Sequence, residues 1–325
     1  MPVLDFDKFK ENYSLHNHRA RVFSWPFFGT LIISFGLFIL YKLNQYVDPW
    51  QSWRQALGNA TNFCEMNRFD QLIVQPSNTW SNLGYIIIGI MFISIAKNDH
   101  KYEHRKNVNN LMAKFPGFTY LIGFSTLYMG IGSFFYHATL TYFFQKLDQT
   151  GMYFLLTAFL AYVLFKLFPQ IKYKGKMYVS NKFFIVCAVI LQIAFYLFLW
   201  KLPINIMFPA LVLSFFAINF ILISRIKNSV SIIGLLKASF ITLVIAFSFW
   251  IVDITHKMCS PTSIFQGHAV WHLINTSSIA LAYLYYRRET FLTQEEQEVA
   301  DTDSDDMIEV EGIELIPIPL KDSKN

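Results

Sequence analysis

The chain has 325 residues, of which 54% are hydrophobic and only 15% charged, with a formal net charge of +5. A soluble protein carries about 25% charged residues, so this composition, with a mean hydropathy of +0.35, excludes an ordinary water-soluble domain and points to a polytopic membrane protein. The basic residues cluster between the apolar runs, which reports membrane topology and gives no ground for nucleic-acid binding.

Residues 1–24 are polar and mixed in charge, with Lys8, Lys10, Arg19 and Arg21. The first apolar run, 25–46, is as long as a membrane span and reads as one rather than as a cleavable signal. A polar segment rich in Trp, Asn and Gln follows at 47–78. Further runs lie at 79–96, 117–138, 146–168, 182–200, 204–224, 232–254 and 267–287. Each is close to the ~20 residues that a helix needs to cross the hydrocarbon core. The expected fold is therefore an all-α integral membrane protein: a seven-helix core over 79–288 with one additional transmembrane helix before it. From Glu289 to Asn325 the chain turns acidic and reads as a disordered tail. Three cysteines are too few for a disulfide framework, and Cys187, in mid-span, reads as a small buried residue.

Lysine and arginine orient the spans. Lys97, Lys101, Arg105, Lys106 and Lys114 fill one loop, Lys172, Lys174 and Lys176 another, and Arg225, Lys227, Arg287 and Arg288 mark two more. Alternate segments carry far fewer. The positive-inside rule then puts both termini in the cytoplasm and turns the 47–78, 139–146 and 255–266 segments outward.

Ionisable groups inside such spans are costly, and therefore functional candidates. Ser133 and His137 lie one turn apart on one helix face, and Asp148 opens the next run. His268 and His272 share the same i, i+4 spacing, which aims both rings at one point. The topology places His137, Asp148, His268 and His272 at the outward ends of their spans, at similar depth. Three histidines from two helices with an aspartate and a serine beside them are the parts of a catalytic zinc site. His100 and His104 repeat the spacing on a lysine-rich loop without a third ligand, so spacing alone is weak. His16, His18 and His256 receive no role. Plainer readings stand beside these: Asp148 pairing with Lys146 or capping its helix, Ser133 bonding the carbonyl one turn earlier. For Asp253, structural pairing and outer support of a ligand histidine are both open.

Taken together, Ser133-x3-His137, Asp148 and Gly267-His268-Ala-Val-Trp-His272 resemble the alkaline ceramidase family, part of a superfamily of seven-helix membrane hydrolases and related receptors. Cys64-Glu65-x-Asn67 and Asn78-Thr79-x-Ser81-Asn82 resemble that family's N-terminal motif, so the likeness spans about 64–287. It implies an intramembrane zinc held by His137, His268 and His272. Asp148 would relay a proton and Ser133 would steady the oxyanion during hydrolysis of a ceramide-like lipid amide. The rival it implies is a receptor or signalling protein in which zinc braces the bundle; a nearer alternative is a hydrolase of other lipid amides or esters. Two departures bear on calcium, which relatives hold with acidic residues in the N-terminal motif: Asn62-Phe63 replaces Asp-Trp, and Gln75 replaces a glutamate. That leaves Glu65 and Asn67 as a remnant and calcium binding weak or absent. The resemblance also suggests that Cys64 packs near the turn before the last helix, where Cys259 lies; a bridge between them and two free thiols are both open, since the spacing before His268 is altered.

Overall fold

Where no water can satisfy backbone groups, an apolar segment has to form helix. The computed structural model describes residues 19–43, 50, 52–57, 62–102, 110–173, 176–225, 229–230 and 233–291, and the described part of each apolar run is mainly helical. In chain order these are α1 (Arg19–Leu43), α2 (Pro76–Ser81), α3 (Leu83–Tyr102), α4 (Leu111–Lys114), α5 (Pro116–Thr139), α6 (Tyr142–Leu167), α7 (Asn181–Phe198), α8 (Ile204–Arg225), α9 (Ile233–Ile254) and α10 (Gly267–Arg288). Two short antiparallel pairs supplement them, β1 (Gln170–Tyr173) with β2 (Lys176–Val179) and β3 (Ser229–Val230) with β4 (Thr290–Phe291).

Six helical stretches among the described residues are long and apolar enough to cross a membrane: Pro76–Lys101, α5, α6, Asn181–Lys201, Ile204–Ile223 and α9. In α1 the described apolar stretch is shorter, Phe27–Gly36. Helix α10 falls short for a different reason: its polar side chains, among them His268, His272, Thr276 and Ser278, are buried against the bundle. Four boundaries differ from the sequence reading. Helix α6 starts at Tyr142, four residues before the expected run, so Asp148 lies within it and does not cap it. Helix α1 starts at Arg19, while residues 44–46 lie outside the described residues. The span expected at 79–96 is broken at Asn82, whose N–H bonds back to Thr79 O at 3.2 Å. The folded core also runs past 288: Glu289 is 2% exposed and β4 pairs residues 290–291 with β3. The rest of the acidic tail lies outside the described residues.

Helix α5 sits between α3 and α6, and glycine makes that possible. A Cβ on Gly132 would come within 3.0 Å of Asp148 N, and one on Gly151 within 2.7 Å of Met129 Cα. The two backbones therefore touch at the level of Ser133 and Asp148, as small residues allow in membrane bundles. Helix α9 packs along α10, and α6 along α7 and α8, while α8 and α9 meet through rings, Phe216 with Phe240 at 5.0 Å and Phe208 with Phe247 at 5.7 Å. Between them lies an apolar cleft lined by Phe208, Val212, Leu243 and Ile279 that reaches Met129 and Asn275.

The two ends of the bundle are fastened differently. At the end of α10 that carries Arg288, buried Lys166 donates to both oxygens of Glu289 at 2.6 and 2.7 Å. Asn110 Nδ2 donates to Tyr286 O and Glu289 O, satisfying carbonyls that a helix C-terminus leaves unpaired. At the other end Cys64 and Cys259, with Cα atoms 5.4 Å apart and 195 positions between them in sequence, form a disulfide, and Met66 N donates to Pro261 O at 3.0 Å. Closing so long a loop restricts the unfolded chain, so Cys64→Ser is expected to lower stability by about 2–4 kcal/mol. Unfolding in detergent measures that loss, and non-reducing peptide mapping should return the 64 and 259 peptides joined. Alkylatable thiols at both positions in freshly purified protein would overturn the bridge.

Candidate metal centre

His137 lies one turn from the end of α5, and His268 and His272 occupy the first two turns of α10. All three are buried, and one ring nitrogen from each lies within 4.8 Å of the others. Their tautomers follow from their outer partners. Gln75 Oε1 can only accept, so His137 Nδ1 donates to it across 2.8 Å. Ser81 Oγ donates to Asn78 O at 2.8 Å, which leaves its lone pairs to accept from His272 Nδ1 at 2.8 Å. Both rings therefore turn a bare Nε2 lone pair inward. His137 Nε2 stands 3.1 Å from His268 Nε2. Two zinc–nitrogen bonds of about 2.0–2.1 Å at a tetrahedral angle put their nitrogens about 3.3 Å apart. The donor set and its spacing thus fit a zinc ion held by three neutral imidazoles.

The approach of α10 to this point is set by Asp253 on α9. Its Oδ2 accepts from His268 N at 2.9 Å and its Oδ1 from Cys64 N at 3.0 Å. It therefore holds the start of the ligand helix through the backbone and ties it to the disulfide loop. Gly267 makes room for this, since a Cβ there would meet Phe249 O at 2.9 Å. The Phe63 ring covers His268 at a centroid distance of 4.2 Å and His137 at 5.1 Å.

Ser133 and Asp148 face each other across the α5–α6 contact, near enough for the hydroxyl to favour the charged carboxylate, one turn along α5 from His137. Thr126 and Thr150 return their hydroxyls to carbonyls four residues earlier. Lys146, the possible partner of Asp148, lies over the Tyr196 ring at 4.1 Å. Tyr85 and Tyr136, both buried, are close enough to feel the Asp148 charge.

Glu65 and Asn67 do not come together as a cation site. Glu65 accepts from Ser77 N and Asn78 N at 2.8 Å each, so its carboxylate caps the first amides of α2. Arg68 adds an ion pair at 3.5 Å. Burial pushes the Glu65 carboxyl up from its ordinary value, and those two amides and Arg68 offset only part of this. Asn67 Oδ1 accepts from Gln75 Nε2 at 2.7 Å. Nitrogen donors occupy the directions in which calcium needs oxygen ligands, so these residues do not fit that ion.

The sequence reading assigned no role to Gln75 or Ser81, the outer partners of two ligand histidines. Ser81 stands in a quoted motif, and Gln75 was noted only for the carboxylate it lacks. A ligand histidine generally has such a partner, but only the fold shows which polar residue reaches it.

No curated protein matches the chain. A family model described as Ceramidase matches residues 57–306, which include all three histidines, Ser133, Asp148 and the disulfide. With most of its length matched, the chain belongs to the Ceramidase family, hydrolases acting on the ceramide amide bond.

Proposed function

We propose that this chain is a zinc-dependent amidase that cleaves ceramide-like sphingolipids within the membrane to a sphingoid base and a fatty acid. The observation that carries the reading is the convergence of one ring nitrogen from each of three buried histidines beside the Ser133–Asp148 pair. Zinc, when bound there, would activate water and polarise the amide carbonyl. His137, His268 and His272 would hold it, with Gln75 and Ser81 keeping two of the rings in the ligating tautomer. Asp148 accepts the proton of the attacking water and delivers it to the leaving amine. Ser133, at the same level, donates to the developing oxyanion, where a fixed donor in a site without bulk water counts most. Phe63 keeps water out from above.

The acyl and sphingoid chains would lie in the apolar cleft between α8 and α9. Met129, one turn before Ser133, and Asn275, one turn after His272, both line it, so it starts where the chemistry ends. Its sparse packing favours entry from the bilayer. The chain would cross the membrane with a core of α3 and α5–α10 and with α1 as an additional helix. Both termini would be cytoplasmic and the metal centre near the outward face, in keeping with the lysine and arginine distribution and with the disulfide. A receptor with a bracing metal calls for a closed fourth position. Among the described residues the cluster holds three histidines and no carboxylate, which favours the enzyme.

Replacing any one ligand histidine with alanine is expected to lower bound zinc sharply, read by elemental analysis of the purified protein. One zinc per chain retained in all three variants would mean that the site is misassigned. Asp148→Asn keeps size and hydrogen bonding but removes the base. Zinc should remain while ceramide turnover falls by about 10²–10⁴-fold, and near-normal turnover in that variant would remove Asp148 from the mechanism. Because Glu65, Asn67 and Gln75 already satisfy one another and the backbone, a calcium titration should leave turnover unchanged. A strong, saturable rise at micromolar calcium would show that other oxygens rebuild a site.

A further inference from the structure

A helix leaves its last four carbonyls and first four amides without internal partners. The turn from α5 to α6 has both problems at once, and it carries His137 on one side and Asp148 on the other. Leu140 takes a left-handed conformation, φ 49°, and returns its N–H to Tyr136 O at 2.6 Å. Gln75 N and Val74 N cap His137 O and Ala138 O at 3.1 and 2.9 Å. Two further groups are met by a segment from much earlier in the chain. Ala56 N donates to Leu140 O at 2.9 Å, and Tyr142 N, the first amide of α6, donates to Arg54 O at 2.8 Å. Gln145, 2% exposed, locks the segment from the side: its Oε1 accepts from Leu57 N at 2.8 Å and its Nε2 donates to Leu57 O at 3.1 Å. Trp53 stacks on Phe144, with centroids 6.0 Å apart.

We propose that residues 53–57 are a positioning strap for catalysis, holding the end of the His137 helix and the start of the Asp148 helix in one fixed register. All but the last of these residues lie ahead of the family match, which begins at 57. The chain thus assigns a part of its site geometry to a segment outside the shared core. The strap touches neither substrate nor metal; it acts through the turn. The inference rests on the reading of His137 as ligand and Asp148 as proton carrier. A displacement of about 1 Å between such groups can cost about 10²-fold in rate.

The test uses the full chain. Ala56→Pro removes the N–H that caps Leu140 O, Ala56→Ser keeps it, and Gln145→Leu removes both bonds to Leu57 while leaving the strap backbone unaltered. In the first and third variants kcat for ceramide is expected to fall between about 10- and 100-fold, with KM and bound zinc unchanged, and Ala56→Ser should behave as wild type. Cobalt(II) put in place of zinc gives a readout independent of turnover: its visible d–d bands should shift in Ala56→Pro and Gln145→Leu, because the His137 ring moves. Unchanged kcat and unchanged cobalt bands in these variants would overturn the strap, leaving it a merely structural tie. Should Ala56→Pro not fold, Gln145→Leu decides alone. If the wild-type chain takes up cobalt yet does not hydrolyse ceramide, the proposed activity has failed, and the cobalt comparison still judges the strap.

Discussion

Three buried imidazoles share one point, with His137 Nε2 and His268 Nε2 3.1 Å apart, and neutral rings present lone pairs to a common point only when their outer nitrogens carry the protons. That constraint organises this end of the molecule. For His137 and His272 to face inward with Nε2, their other nitrogens must be engaged as donors, and Gln75 and Ser81 provide the acceptors. Both residues sit at or in α2, so α2 has to lie between α5 and α10 in one orientation. Glu65 sets that orientation by capping the first amides of α2, and Asp253 ties the neighbouring residue Cys64 to the start of α10. The 62–82 stretch is thus the support of the metal centre, although none of its residues ligates.

What could be read beforehand follows the physics of each level. The apolar runs were legible because a membrane forces helix and sets its length. The triad was legible because a histidine buried in such a run is expensive, and because His268 and His272 share a helical face. The break at Asn82 and the capture of Glu289 by Lys166 were not, since both depend on partners more than a hundred residues away or on a local bend that hydropathy does not register. Helix α10 shows the limit of hydropathy in the opposite sense. Its polar side chains face protein rather than lipid, so a helix that is central to the bundle reads as the least membrane-like of its long helices.

Gln75 is the sharpest case of a residue whose meaning changes with the fold. In sequence it marks a missing carboxylate. In the structure its amide bridges Asn67 and His137, using donor and acceptor ends at once. A carboxylate at that position could not donate to Asn67 Oδ1, and the loop would then be held together by whatever cation gathered those oxygens. In this chain the amide makes the link directly, through those two hydrogen bonds.

The distribution of fastening across the bundle also bears on how a lipid substrate could be handled. The disulfide, the Asp253 contacts and the strap at the α5–α6 turn all lie at the end of the bundle that carries the three histidines. The buried Lys166–Glu289 pair secures the opposite end of α10. Neither set restrains the side where α8 and α9 part. There α8 and α9 are tied to α10 rather than to each other, by Tyr286 Oη donating to Asn219 Oδ1 at 2.8 Å and by Ser239 and Ser278, and they face one another through aromatic rings. Rigidity is therefore placed where angles matter, at three imidazoles, a serine and a carboxylate. Between α8 and α9 the ties among the described residues run only through α10, so the proposed lipid cleft lies where the bundle is least cross-linked.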